Sequence, residues 1–209
     1  MPQRSPATPP QSRRKEYAEA TRQAILQAAR ELFERQGFFT TKVDEIAALA
    51  RVAPATVYAV SGGKQGLLRT LAEIWTSAPE VAAKMRKIEE VRDPQEILRL
   101  CATTCVVMKQ KYGGLIRVIL DTAPHDCSVA ETLATATGHY RAALALVAGR
   151  LRALDALRPG IDAETALGLL WFYFGYSALF TLVDESGWSY DQAEKWLGDA
   201  AIQALLRGR

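Results

Sequence analysis

The sequence is poor in the residues that carry most metal, redox and nucleophilic chemistry. Its 209 residues include three cysteines and two histidines. An odd number of cysteines in a chain of this length does not form a disulfide framework. An enzyme needs a nucleophile with a base and an orienting group, or an open metal site, and neither histidine lies in such a motif. We therefore predict that the protein is not an enzyme, and we predict no cofactor and no bound metal.

Long apolar runs are also lacking, since none reaches the roughly 18 uninterrupted residues that a membrane-spanning helix needs. The longest, from Leu167 to Val183, contains glycine, tyrosine and tryptophan and is followed by Asp184 and Glu185. We interpret it as a buried or interface helix. The N-terminus has arginines but no apolar segment of the kind found in a secretory signal. These features predict a cytoplasmic protein that has no membrane partner.

The period-two alternation of a half-buried strand is not sustained anywhere in the sequence. Apolar residues recur instead at helical spacing, as at Ile25, Leu32 and Phe33, and Gly37 follows as a C-terminal stop. This first helix is predicted over residues 15–36. Start signals for later helices are Asp93 before Pro94, Ser128 with Glu131, Asp162, and Ser189 with Gln192. The predicted fold class is all-α.

Positive charge is concentrated near the N-terminus. Residues 1–76 hold 11 Lys and Arg against 7 Asp and Glu, whereas the remainder holds 15 against 16. Residues 1–14 hold four prolines and three arginines without an acid, and we interpret them as a disordered basic arm. An excess of positive charge at one end is expected of a domain that contacts DNA phosphates, although a solvated basic tail has the same composition.

Two short helices separated by a tight turn are predicted near residues 43–50 and 54–60. This arrangement suits DNA because the second helix can lie in the major groove while the first braces it across the backbone. Pro54 fits the first turn of the second helix. Inward packing is predicted for Val43, Ile46, Ala47, Ala50, Val52 and Val57, and an outward orientation for Ala55, Thr56 and Tyr58.

The stretch from Thr21 to Leu68, some 48 residues, resembles the N-terminal DNA-binding domain of the TetR family of bacterial repressors. The remainder is similar to that family in being helical and of suitable length. The residues that carry the resemblance are Ile25, Leu26, Ala28, Ala29, Leu32, Phe33, Gly37, Phe38, Thr40, Thr41, Ile46, Ala47, Ala50, Val52, Thr56, Val57, Tyr58, Lys64, Leu67 and Leu68.

The resemblance implies a set of DNA contacts. In the family, the positions that match Thr40 or Thr41, Tyr58 and Lys64 commonly contact phosphates. The positions that match Ala55 and Thr56 lie on the recognition helix and face the groove. Ala55 offers a methyl group but no hydrogen bond, so base reading falls to Thr56, Lys42 or the basic arm. Tyr58 could instead be a packing aromatic, and Lys64 could be merely solvated. The candidate DNA-binding residues are Thr40, Thr41, Lys42, Arg51, Ala55, Thr56, Tyr58 and Lys64.

The sequence departs from the family pattern at two places. Arg51 occupies the turn where the family usually has glycine, and a non-glycine residue with positive φ costs on the order of 1 kcal/mol. Arg51 could compensate by reaching a phosphate. Ser61 replaces the usual aromatic and is followed by two glycines. We expect a looser link after the recognition helix, and we expect Ser61→Phe to stiffen it.

The resemblance further implies that the C-terminal part pairs two subunits and binds a small molecule. The last two helices, predicted over residues 162–185 and 189–206, correspond to the family's dimer-forming pair. Gly168 and Gly175 are seven residues apart and would share one face of an unbroken helix. An intramolecular core helix is the alternative. The candidate dimer residues are Gly168, Leu169, Gly175, Tyr176 and Leu179.

The candidate ligand is apolar or aromatic, because the second part of the chain is rich in aromatic residues. The candidate pocket residues are Trp75, Met108, Tyr112, His139, Trp171 and Phe172. The resulting prediction is a homodimeric repressor that binds a palindromic operator in double-stranded DNA and is released by a small-molecule effector. Its predicted divisions are an arm over residues 1–14, a helix-turn-helix domain over 15–63, and a helical effector-binding and dimerisation domain over 64–209.

Two alternatives stay open. Cys101 and Cys105 are four residues apart on one predicted helix face, and His125 and Cys127 follow them, so a metal or redox sensor is possible. Their spacing lacks the tight knuckle of structural zinc sites. The second alternative is a helical adaptor whose DNA binding has weakened through the changes at Arg51 and Ser61.

Overall fold

Ten α-helices account for most of residues 10–208, which are the residues that the computed structural model describes. No strand occurs among them, so the all-α prediction is confirmed. A short 3-10 turn, Ala123–His125, precedes α7, and a π-helical turn, Thr181–Glu185, follows α9. The helices are α1 Pro10–Gln36, α2 Val43–Ala50, α3 Pro54–Ser61, α4 Lys64–Thr76, α5 Pro79–Glu90, α6 Pro94–Thr122, α7 Cys127–Ala153, α8 Ala163–Phe174, α9 Tyr176–Phe180 and α10 Tyr190–Leu205.

The described chain forms two compact units whose boundaries differ from those predicted. The first unit contains residues 10–72 together with Leu115–Thr132, and the second contains Glu73–Gly114 together with residues 133–208. The start of α4 belongs to the first unit because its apolar side chains, including Leu67 and Leu68, are fully buried. The division after residue 63 is therefore placed too early as a structural boundary.

Helix α1 begins at Pro10, so the prediction of a disordered arm over residues 1–14 is wrong for residues 10–14. Residues 1–9 lie outside the described residues. Proline is well tolerated in the first turn of a helix, and the Gln and Arg that follow are good helix formers. Every side chain from residue 13 to residue 20 is exposed.

The first unit is built on the C-terminal half of α1, which packs against α2. Phe33 is fully buried, and its ring centre lies 5.3 Å from that of Phe38 in the following loop. Gly37 ends the helix with a φ of 83°, as its position predicted. The remaining core residues of this three-helix region include Ile25, Leu26, Ala29, Leu32, Ile46, Ala47 and Val57.

In the second unit, the segment predicted as one helix over residues 162–185 is broken at Gly175. Gly175 has a φ of −70° and a ψ of −171°, so α8 ends at Phe174 and α9 begins at Tyr176. A methyl group on Gly175 would lie 2.3 Å from the carbonyl oxygen of Trp171. The break therefore depends on close contact that only glycine allows.

By length and composition alone, Ala163–Glu185 could cross a membrane, with a mean hydropathy of 1.6 in its most apolar window. The helix break lies within this segment. Five of its apolar residues are core residues of the protein, which supports the interpretation as a buried or interface helix. They are Ala166, Leu170, Phe174, Leu179 and Phe180.

Candidate nucleic-acid interface and ligand site

The turn between α2 and α3 has the conformation that its sequence predicted. Arg51 lies in the left-handed region with a φ of 57° and a ψ of 44°. Its N–H donates to the carbonyl of Ala48 at 3.1 Å, and the N–H of Val52 donates to that of Ala47 at 2.9 Å. These bonds close the C-terminus of α2 in the way that a glycine cap would. The Arg51 side chain is exposed.

The start of α2 is fixed by the carboxylate of Glu45. The carboxylate of Glu45 accepts from the backbone N–H of Lys42 at 2.8 Å and from the side-chain amide of Gln36 at 3.0 Å. The hydrogen bond from Lys42 is the main reason that the pKa of Glu45 is lowered. The cap leaves the Lys42 side chain exposed at the N-terminus of α2, where a phosphate would also meet free amides.

The two candidate threonines before α2 have their hydroxyls engaged with the protein. Thr41 is 1% exposed and donates to the carbonyl of Gly37 at 2.7 Å, so the prediction that its side chain contacts DNA is wrong. The physical reason is that it closes the loop after α1. Thr40 is exposed, and its hydroxyl donates to the carbonyl of Gln36. Its phosphate contact stays a prediction.

The outer face of α3 carries the candidate groove residues. Val57 is fully buried, whereas Ala55 is exposed and Thr56 is half-buried. Tyr58 is 56% exposed, which does not fit a packing aromatic. A methyl group placed on Gly63 would lie 3.4 Å from the Tyr58 ring, which is an ordinary contact, so glycine is favoured there by its φ of 109° and not by the ring.

Lys64 is not merely solvated, because its ammonium is hydrogen-bonded within the protein, and its contact with a phosphate stays a prediction. Its ammonium donates to the carbonyl of Phe38 at 2.8 Å and to that of Phe39 at 3.3 Å. It also lies 4.7 Å from the centre of the Phe38 ring. Burial lowers the pKa of Lys64, and the charge of Asp126 opposes that shift. Lys64 thus fastens the start of α4 to the loop between α1 and α2.

The exit from the recognition helix is tight, contrary to the expectation of a looser link. The Ser61 hydroxyl donates to the carbonyl of Val57 at 2.9 Å and accepts from the N–H of Gly63 at 3.3 Å. A methyl group on Gly66 would overlap the Ser61 carbonyl. The Ser61 hydroxyl and the close approach of Gly66 therefore take the place of the usual aromatic side chain. Ser61→Phe would remove the two hydrogen bonds of that hydroxyl.

With this geometry established, comparison with known proteins gives a consistent result. The family model described as "Bacterial regulatory proteins, tetR family" matches residues 25–71. The HTH-type transcriptional repressor NicS of Pseudomonas putida is 30% identical over 161 residues, which cover 75% of this chain and 68% of NicS. The chain belongs to the TetR family of bacterial regulatory proteins. It is therefore a DNA-binding transcriptional regulator.

Solved structures share the family fold along nearly the whole chain. A transcriptional regulator from Saccharomonospora viridis, in complex with choline, has a TM-score of 0.74 at 15% identity, covering 90% of this chain and 98% of that one. FadR of Bacillus subtilis, in complex with stearoyl-CoA, has a TM-score of 0.73 at 16% identity, covering 86% and 97%. NalD of Pseudomonas aeruginosa, the secondary repressor of the MexAB-OprM multidrug efflux pump, has a TM-score of 0.72 at 21% identity, covering 93% and 100%.

The predicted pocket residues of this family member do not all face inward. Trp75 and Tyr112 are buried, and Met108 and Trp171 are half-buried. His139 is exposed and Phe172 is 68% exposed, so both are wrong as lining residues. They lie on the outward faces of their helices. In their place the structure brings Tyr140 and Tyr176 against Trp171, and Tyr176 also contacts Trp75.

The predicted dimer face is also divided by the break in the helix. Gly168 is exposed and Leu169 is half-buried, as an interface would allow. Gly175 and Leu179 are buried and Tyr176 lies in the aromatic cluster, so these three are wrong as partner contacts. The break removes the regular helix on which Gly168 and Gly175 were to share a face.

The cysteine-based alternative finds no support in the geometry. Cys101 and Cys105 are buried, and burial raises the pKa of each thiol to about 12. Both are therefore protonated near neutral pH, whereas metal binding and oxidation require the thiolate. Cys127 is exposed. Among residues 10–208, no group of three or more metal-binding side chains is arranged to hold an ion.

Proposed function

We propose that this regulator is a homodimeric repressor that reads a palindromic operator with α3 of each subunit and is released by a small molecule bound in its second unit. The observation that supports it best is the turn at Arg51, which presents α3 as a recognition helix. Ala55 and Tyr58 lie on the exposed face of that helix. A recognition helix held in this way can enter a major groove.

We propose that phosphate and base contacts are divided between the two short helices. Lys42 and Arg51 are exposed cations at opposite ends of α2 and suit phosphate oxygens. Tyr58 can donate its hydroxyl to a phosphate, and Thr40 could do so after releasing Gln36. Ala55 and Thr56 are left to meet base edges, where a methyl group suits thymine and a hydroxyl suits several bases.

Dimerisation is supported by large apolar side chains on the outside of the second unit. Phe172 on α8 is 68% exposed and Trp196 on α10 is 47% exposed. The two helices pack against each other, and Gly168 on α8 is exposed with open space around it. A two-fold pairing of such a surface would bury these side chains and give two recognition helices for two half-sites.

Release by a small molecule is supported by the relatives that were solved with choline or stearoyl-CoA bound. A ligand can shift this regulator off DNA only if it binds the non-DNA conformation more tightly. A cytoplasmic location follows from the need to reach bacterial DNA. The helical adaptor is disfavoured because the turn and the exit of α3 are both well formed.

The experiment that tests this function is a footprint on the DNA that flanks the gene, with purified full-length protein. We expect a symmetric protected region with two half-sites. Lys42→Ala should weaken binding and reduce the slope of log K against log salt by about 2, because the dimer loses one phosphate contact at each of its two half-sites. Arg86→Ala, an exposed cation on α5, is the matched control and should leave the slope unchanged. Absence of any protected region would contradict the proposal.

A further inference from the structure

Four aromatic rings form one cluster around the break between α8 and α9. The Tyr176 ring centre lies 5.3 Å from that of Trp171, 5.7 Å from that of Trp75 and 5.8 Å from that of Tyr140. Tyr140 and Trp171 are 5.6 Å apart. Trp75 is buried, whereas the other three are half-buried. The cluster therefore extends from the core to the surface.

A backbone carbonyl is exposed to this cluster because of the break. Phe174 is the last residue of α8, and the last carbonyls of a helix have no intrahelical partner. The Phe174 carbonyl accepts instead from the hydroxyl of Tyr140 and from the thiol of Cys105 at 3.5 Å. A thiol is a weak donor, so one of these two bonds is easily exchanged for a stronger one.

The polar groups of the cluster are neutral. Burial raises the pKa of Tyr140 well above its usual value and raises that of the Cys105 thiol to about 12, so both stay protonated near neutral pH. Burial also raises the pKa of Tyr176, whose hydroxyl lies 3.4 Å from that of Thr137. The Arg141 guanidinium lies 5.4 Å from the centre of the Trp171 ring, on the exposed side. Its charge disfavours a cationic ligand beside that ring.

The fold around the break allows the rings to separate. Gly175 joins α8 to the five-residue α9, and a π-helical turn follows directly at Thr181–Glu185. Interruptions of this kind are common at functional sites. Trp171 precedes Gly175 in the chain and Tyr176 follows it. A change in backbone direction at Gly175 would therefore alter the space between the two rings.

We propose that this cluster is the effector site and that its ligand is an uncharged planar aromatic compound whose ring N–H or O–H donates to the Phe174 carbonyl. The ring would stack among Trp171, Tyr140 and Tyr176, and its donor would replace the Cys105 or Tyr140 donor at that carbonyl. Calling the ligand an effector rests on the proposed function, whereas the binding site and its chemistry rest on the geometry of the second unit.

The first test compares indole with indene by calorimetry on the full-length protein. The two probes have the same shape, and only indole carries an N–H. We expect indole to bind about fivefold more tightly, which corresponds to one net hydrogen bond. Equal affinities, or no binding of either probe at millimolar concentration, would overturn the proposal.

Tyr140→Phe separates a recognition role from a packing role. The variant removes one donor that competes for the Phe174 carbonyl, so indole should bind more tightly, by up to about fivefold, while indene is unaffected. Equal weakening of both probes would show that Tyr140 only packs, and would contradict the proposal. Tyr190→Phe, at the start of α10 and outside the cluster, is the matched control and should leave the ratio of the two affinities unchanged.

Charged probes test the ligand class. Phenyltrimethylammonium should bind more weakly than indole because the Arg141 guanidinium already lies over the Trp171 ring and repels a second cation. Benzoate should bind more weakly than indole because its carboxylate would lose hydration without a buried cation to replace it. Tighter binding of either one would overturn the proposal. The proposed function is tested separately by the footprint without any probe. Operator binding without indole binding contradicts the ligand site alone, whereas indole binding without operator binding contradicts the repressor function alone.

Discussion

At the residue scale, Arg51 has two opposite effects. Its backbone conformation lowers the stability of the protein, whereas its charge strengthens DNA binding. Its φ of 57° is a strained conformation for a side chain with a Cβ, and its exposed guanidinium can reach DNA. We expect Arg51→Gly to raise the free energy of unfolding by about 1 kcal/mol and also to weaken operator binding. Thermal denaturation and a salt series of gel shifts measure the two effects.

Arg51→Ala is the matched control, because alanine removes the charge but keeps the strained conformation. It should weaken DNA binding as much as Arg51→Gly does, without the gain in stability. If Arg51→Gly left the salt dependence of binding unchanged, the phosphate contact would be ruled out and Arg51 would serve only as the helix cap.

The hydrogen bonds that the sequence did not predict for two candidate residues share a physical reason. Lys64 donates to carbonyls about 25 positions earlier in the chain, and Thr41 is buried against the end of α1. Both side chains look like phosphate ligands because they match the family pattern at a helix start. Their actual partners are backbone atoms brought near by tertiary packing, which local spacing does not reveal. The positive φ of Arg51 was predicted correctly, because that conformation depends on the turn itself.

At the scale of secondary structure elements, two of the predicted helix caps are confirmed, whereas the cap at Ser128 and the unbroken helix over residues 162–185 are wrong. Ser128 lies inside α7, whose first turn is capped by the Asp126 carboxylate, which accepts from the N–H of Val129 at 3.1 Å. The side chain of Asp162 accepts from the N–H of Thr165 at 2.8 Å, and that of Ser189 accepts from the N–H of Gln192 at 3.2 Å. Both residues therefore cap their helices as the sequence predicted. Both hydrogen bonds are contacts within four residues. At the break near Gly175, the carbonyl of Phe174 accepts from Tyr140 and Cys105, which come from other helices. A glycine in an apolar run carries no local signal of that kind.

The cap of α2 predicts a dependence of stability on pH. Hydrogen bonding lowers the pKa of Glu45 below its ordinary 4.5. A carboxyl whose folded pKa is depressed stabilises the protein above its unfolded pKa and loses that contribution as the pH falls through the folded value. Glu45→Gln should therefore lower Tm near neutral pH and show a shallower loss of Tm below about pH 4.5. Asp44→Asn, in the same turn, controls for the loss of one charge, and parallel Tm curves for wild type and Glu45→Gln would contradict the prediction.

The break between α8 and α9 predicts an unusual cost for adding one methyl group. In Gly175→Ala the new Cβ would lie 2.3 Å from the Trp171 carbonyl oxygen and 3.2 Å from its ring. Because the backbone must shift, we expect a loss of about 1–3 kcal/mol in the free energy of unfolding, measured by denaturant titration. Gly138→Ala is the control, since the space around Gly138 within α7 is open and alanine favours helix by about 1 kcal/mol. Equal and stabilising effects of both changes would show that α8 can continue through residue 175.

At the scale of the whole molecule, α6 and α7 each contribute residues to both units. The connection between them lies in the first unit, where Asp126 faces Gln65 at 3.5 Å and His125 faces Phe39 with ring centres 6.3 Å apart. Tyr140, further along α7, belongs to the ligand cluster of the second unit.

An exposed apolar side chain on the second unit predicts where two subunits pair. Phe172 is 68% exposed on α8, and burying it against a second copy would contribute to the pairing of two subunits. Phe172→Glu would place two charges in that interface without partners. We expect the variant to sediment as a monomer and, with only one recognition helix per molecule, to lose most of its operator affinity. Leu146→Glu, an equally drastic change at a leucine that is 62% exposed on α7, should leave a dimer that binds DNA normally. A monomeric Leu146→Glu beside a dimeric Phe172→Glu would instead place the two-fold contact on α7.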